Sequence, residues 1–163
     1  MILAPRLQKL ALLAHVTTSV GWLGAVACFL ALAVIGLTAA DAQTVRAVYP
    51  AMDLITWSVI VPLGIASPLT GLVSSLGTPW GVLRYYWVLV KIVMTIPATL
   101  ILFLHTQPIG LVARAAVETT LVGSDLERLR VQLTAAAAAA VVVLLIATAL
   151  SIYKPRGRTR FTF

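Results

Sequence analysis

The residues best suited to chemistry lie in His15-Val16-Thr17-Thr18-Ser19-Val20-Gly21-Trp22-Leu23-Gly24. His15 is the only side chain of the first apolar run that can titrate near neutral pH and also bind a metal. A helix turns about 100° per residue, so His15, Thr18, Ser19, Trp22, Val26 and Phe29 share one face. Hydrocarbon offers hydroxyls and imidazoles no partners, so this face should turn toward protein. Lys91 is the second unusual group. It follows Arg84 by seven residues, roughly 10 Å of helix, and no acid lies on that side to neutralise it. It either snorkels back to the interface or meets an anion, a ligand carboxylate or a lipid phosphate. Arg84, Trp87, Lys91, Thr95, Ala98 and His105 share a face.

His15 and Lys91 fall at similar depth. His105 lies about 21 Å of helix beyond Lys91, near the opposite surface, and should not share an iron with His15. The residues thus suggest a b-type haem site with His15 as single axial metal ligand and Lys91 and Arg84 meeting the propionates. Ser19 and Trp22 stand beside the group. Two plainer readings stay open. His15 is a neutral histidine bonded to a helix carbonyl or hydroxyl, and Trp22 is simple packing. His105 is read as a solvated interfacial residue.

Positioning these residues requires membrane helices. Hydrophobic residues make up 61% of the 163 and charged residues 10%, far from the charge content of a soluble domain. Four apolar runs reach the roughly 20 residues that cross a bilayer: about 10–37, 54–75, 86–105 and 133–153. The expectation is one all-α domain, a four-transmembrane-helix bundle, antiparallel and up-down-up-down. The net charge of +7 is unevenly placed. Arg6, Lys9, Arg84, Lys154, Arg156, Arg158 and Arg160 flank one side. The other side carries Arg46, Arg114, Arg128 and Arg130 with every acid: Asp41, Asp53, Glu118, Asp125 and Glu127. The basic excess places both termini in the cytoplasm. The tail from Lys154 to Arg160 should touch anionic lipid, not nucleic acid. Arg6 and Lys9 before an apolar run resemble a signal peptide, but the run exceeds a signal segment and should be retained as a helix.

Along the chain, Gly21, Gly24, Ala25 and Cys28 offer small residues for close helix packing, with the lone Cys28 expected to be buried. Loop one should run from Thr38 to Tyr49-Pro50. Helix two should kink at Pro62 and Pro68 and present Asp53, Trp57, Ile60, Gly64, Ser67 and Gly71 on one face, with Asp53 solvated or paired to Arg46. Its Gly64 and Gly71 leave a groove for another helix or, less often, a flat ligand. A turn at Gly77-Thr78-Pro79-Trp80-Gly81 leads to a belt of Trp80, Tyr85, Tyr86 and Trp87. Helix three should end at His105-Thr106-Gln107-Pro108. Loop three should then run to Gly123, with Ile109, Val112, Ala116 and Leu121 on a surface helix. Ser124-Asp125-Leu126-Glu127 reads as a capping box for helix four, whose Ala135–Ala140 tract is a smooth packing surface.

Several of these motifs carry a resemblance. His15 before Gly21-Trp22-Leu23-Gly24, Trp87-Val88-Leu89-Val90-Lys91 with His105 beyond it, and a last helix ending Tyr153-Lys154-Pro155 resemble a family of bacterial four-helix integral membrane proteins. More distantly they are similar to the copper-resistance D family and to HemJ-type protoporphyrinogen oxidases. The second resemblance implies b-haem at His15 with Lys91 near it, and porphyrinogen oxidation. The first implies copper uptake across the inner membrane.

Other chemistries find no residues. There is no glycine-rich phosphate loop, cysteine-pair metal motif, catalytic triad or pair of carboxylates within the apolar runs. The expected role is a haem-associated or redox-accessory protein of the bacterial inner membrane, multi-pass. The alternatives are a cofactor-free accessory subunit packed on itself or on a partner membrane protein through Gly21/Gly24 and the alanine tract, and copper-ion transport.

Overall fold

The computed structural model describes residues 3–78, 81–118, 124–155 and 157–159. Pro79, Trp80, Leu121, Gly123, Arg156 and Arg160 lie outside them. Four helices follow one another: α1 (Pro5–Thr38), α2 (Ala42–Leu76), α3 (Tyr86–Val117) and α4 (Ser124–Tyr153). All four are long and apolar enough to cross a membrane, and the chain is an all-α, multi-pass four-helix bundle. Each helix packs on its neighbours in sequence, and α4 closes the ring on α1. Among the described residues, thirty-three large apolar side chains lie exposed, Leu104 (73%) and Ile152 (71%) most fully among the aliphatics. In water such a surface would drive aggregation; in lipid it is the natural outer face.

The helices outrun the apolar segments. Thirty-four residues of α1 make about 51 Å, against about 30 Å of hydrocarbon. Loop one is therefore not a loop from Thr38 to Pro50. Only residues 39–41 separate α1 from α2, and the Asp41 carboxylate caps α2 by accepting the Thr44 N–H at 2.7 Å. Val45, Val48, Tyr49 and Met52, spaced three and four apart, are all buried. Loop three is likewise mostly helix. α3 continues through Pro108 to Val117, and Ile109, Val112, Ala113 and Ala116 are buried in the same core as those α2 residues. Proline removes one N–H and disfavours a helix without always ending it. α4 begins at Ser124, with Asp125 and Glu127 in its first turn where the helix dipole favours them.

The prolines of α2 are accommodated in two ways. A π turn, Thr56–Ile60, precedes Pro62, with the Val61 N–H bonded five residues back to the Thr56 carbonyl. The wider turn breaks the expected continuous face: Trp57 is 54% exposed, whereas Ile60, Gly64 and Ser67 stay buried. Pro68 frees the carbonyl of Gly64, and the Thr99 hydroxyl of α3 donates to it at 3.2 Å. Two further expectations are corrected. Cys28 is exposed on the outer face of α1. Asp53 is half-buried and does not pair with Arg46; its Oδ1 is buried without a hydrogen-bond partner.

At the end that carries both termini, the basic tail folds back. Tyr86 N–H donates to the Gly157 carbonyl at 3.3 Å, Thr159 N–H to the Arg84 carbonyl at 3.0 Å, and Tyr85 pairs with Arg158 in an antiparallel bridge. The Thr159 hydroxyl bonds the Leu83 carbonyl.

Candidate functional site

His15 sits where α1 crosses the second half of α2. Its Nδ1 lies 3.1 Å from the Ser67 carbonyl oxygen. A carbonyl can only accept, so Nδ1 carries the proton, and in the neutral ring Nε2 keeps the lone pair. The ring lies over Gly71, where a Cβ would stand 2.8 Å from Cε1. The groove left by Gly71 is thus filled by an imidazole, and that left by Gly64 by Trp22 and Leu102.

Hydroxyls surround the ring. Ser19 Oγ and Thr70 Oγ1 each stand 3.4 Å from Nδ1, Ser19 and Ser67 hydroxyls bond each other at 2.8 Å, and Thr18 and Thr70 hydroxyls at 3.1 Å. Thr70 also donates to the Ala66 carbonyl at 2.7 Å. The polar face of α1 therefore finds its partners on α2. Ser67 and Gly71 were on the predicted face of α2, but Thr70 was not. A threonine two residues beyond a proline carries no signal of its own until the partner helix is known.

Lys91 completes a polar layer across the bundle. Its ammonium donates to the Ser151 hydroxyl of α4 at 2.6 Å and stands 5.9 Å from the centre of the Trp87 ring. It neither extends alone to the interface nor needs an acid: a hydroxyl and an aromatic face hold it. Ser151 is the one member of this layer that α4 supplies, and nothing in its sequence context singles it out among the serines.

The other expected site residues separate from this group. Arg84 is exposed in the segment before α3, tied by its backbone to the tail. Trp22 is only 3% exposed and packs at Gly64, two turns from His15, with Nε1 buried and without a partner. His105 donates from Nδ1 to the Ile101 carbonyl at 2.8 Å and lines a small hollow of about 80 Å³ with Trp22, Phe29, Thr56 and Leu133. It is thus half inside the bundle and not merely solvated. That hollow does not reach His15. Among the described residues, no three His, Cys, Asp or Glu side chains gather in one place.

A second polar arrangement lies at the far end. Arg130 of α4 donates through Nε to the Tyr49 hydroxyl at 2.6 Å and through a terminal nitrogen to the Gly36 carbonyl, with the guanidinium 5.4 Å from the Tyr49 ring centre. The Gly36 carbonyl belongs to the last turn of α1, whose carbonyls lack helical partners and carry the negative end of the dipole. Arg130 is therefore a side-chain cap on α1, delivered from α4. The chain matches no protein-family description, no curated protein and no solved structure.

Proposed function

We propose that this multi-pass membrane protein is haem-associated or redox-accessory, with His15 as its ligand residue. The observation that carries the reading is the hydrogen bond from His15 Nδ1 to the Ser67 carbonyl. It fixes the tautomer and leaves Nε2 as the single available donor, the arrangement by which metal-ligating histidines are commonly oriented. His15 Nε2 would hold a b-type haem, which when bound would supply a one-electron couple. The chain's own part is to hold the imidazole: Gly71 leaves the ring its place, and Ser19 and Thr70 limit its rotation. The resemblance to HemJ-type oxidases through His15, Trp22 and Lys91 points the same way. Copper transport is the less favoured reading, since His15 has no second soft or imidazole ligand beside it.

A reduced-minus-oxidised visible spectrum tests the proposal on protein produced with ample haem. A Soret and α band lost in His15→Ala is the expected result. A flat spectrum from protein that is helical by circular dichroism would overturn it.

One observation favours a second reading, a cofactor-free subunit that packs on a partner. Gly24 has open space around it, and Cys28 one turn on is exposed. Together they leave a shallow strip on the outer face of α1. Crosslinking through Cys28 in native membranes would give a discrete adduct under this reading and none under the first.

A further inference from the structure

The far end of the bundle holds a hollow of about 650 Å³ between the first half of α2 and the last turns of α3. It lies away from His15, and its occupant is independent of any haem there. Its polar walls are Asp53, Gln107, Arg114 and Glu118, and Trp57 stands at its edge. Trp57 and Thr106, both on its lining, are about 20 residues from the α2 and α3 ends at the other surface, or about 30 Å. That is the thickness of the hydrocarbon, so the hollow opens at the level of the lipid headgroups.

The chemistry inside is specific. Asp53 Oδ1 is buried and has no hydrogen-bond partner. Gly110 lets it lie close to α3: a Cβ there would stand 3.7 Å from Oδ1. A buried carboxylate oxygen without a partner is costly, and an N–H donor relieves that cost. Two carboxylates, Asp53 and Glu118, face one guanidinium, Arg114, so the walls carry a net charge of −1 and favour a cation. The exposed face of Trp57 suits the same charge. The rest of the lining is largely apolar, including the exposed Leu111 and Val117.

We infer that this hollow binds the head of a primary-ammonium amphiphile, the ammonium on Asp53 beside Trp57 and the alkyl chain running past Trp57 into the hydrocarbon. A primary ammonium is required, because a quaternary one has no N–H to give Oδ1. The ammonium can belong to an ethanolamine lipid, whose phosphate then meets Arg114, or to a free alkylamine.

The test is titration of the full-length protein in maltoside micelles with dodecylammonium, dodecyltrimethylammonium and dodecanol, followed by microscale thermophoresis. Dodecylammonium should bind about tenfold more tightly than the other two, and Asp53→Asn should erase that preference. Equal affinity for amine and alcohol, or a preference that survives Asp53→Asn, overturns the proposal. If Asp53→Asn fails to fold, Trp57→Leu decides, since that side chain is exposed: about a threefold loss is expected, and no loss overturns the proposal. Competition by lysophosphatidylethanolamine but not lysophosphatidylcholine assigns the ammonium to a lipid. Dodecylammonium binding that neither lysolipid displaces assigns it to a free amine.

Discussion

The two halves of the bundle use the same four helices and are held together differently. Near the termini, α1 meets α2 through His15, Ser19, Ser67 and Thr70, and α3 meets α4 through Lys91 and Ser151. At the far end, Val112 and Ala116 are fully buried and Met52 and Tyr49 nearly so, forming a dense apolar core with Arg130 across it. Solvent explains the contrast. The near half lies in hydrocarbon, where burying a leucine gains little and a hydroxyl must find a partner. Beyond Trp57 and Thr106 the ends of α2 and α3 outrun the hydrocarbon, and there apolar burial drives packing as it does in a soluble protein.

Breaking the far half should cost most. Arg130→Ala removes two charge-assisted hydrogen bonds, and because Arg130 is partly exposed we expect a loss of about 2 kcal/mol, read as a lower thermal midpoint in detergent. Arg130→Lys should recover part of it, since a lysine keeps the charge but not the two-pronged geometry. An unchanged midpoint in Arg130→Ala would mean that the cap adds nothing to stability.

Two glycines compare the halves directly. A Cβ at Gly36 would stand 2.8 Å from the ring and hydroxyl of Tyr49, and one at Gly71 2.8 Å from the His15 ring. Tyr49 is 2% exposed and locked by Arg130, whereas His15 is only half-buried. Gly36→Ala should therefore cost about 2 kcal/mol of unfolding free energy and Gly71→Ala about 1 kcal/mol, within the range for overpacking. The reverse order would show that the near half is the rigid one.

Ser67→Ala deletes the 2.8 Å bond to Ser19 but leaves the Ser67 carbonyl to His15. Membrane hydrogen bonds of this kind average about 0.6 kcal/mol, and that is the expected loss. A much larger one would mean that the hydroxyl network, and not the backbone carbonyl, positions His15.

The smallest effect concerns Asp41. The Thr44 N–H holds its carboxyl below the ordinary carboxylate range. Its capping contribution is complete above the unfolded-state value and is lost as pH falls through the lower folded-state value. Asp41→Asn keeps a capping acceptor without the titration. It should leave stability at neutral pH nearly unchanged and flatten the acid limb of the unfolding midpoint against pH. An identical acid limb would place the pH dependence elsewhere.

Much of the fold was legible in the residues because lipid enforces a simple rule: four long apolar runs must become four helices. The alternation of basic and acidic flanks likewise grouped both termini at one end. The start of α4 near Ser124, the prolines of α2 and the glycines that leave grooves could be read locally. The extensions of α2 and α3 were misread because the expectation stopped the helices at the hydrocarbon edge and took Pro50 and Pro108 as boundaries. Yet Val45, Val48, Tyr49 and Met52 carry a helical spacing behind Asp41, a signal of the kind that marks helices in soluble proteins. A similar expected depth for His15 and Lys91 followed from counting residues at 1.5 Å each. Which groups complete their bonds did not. Ser67 to His15, Ser151 to Lys91 and Tyr49 to Arg130 join residues 52, 60 and 81 positions apart. Periodicity fixes which face of a helix a residue occupies; only the rotation and register of packed helices decide which partner stands opposite.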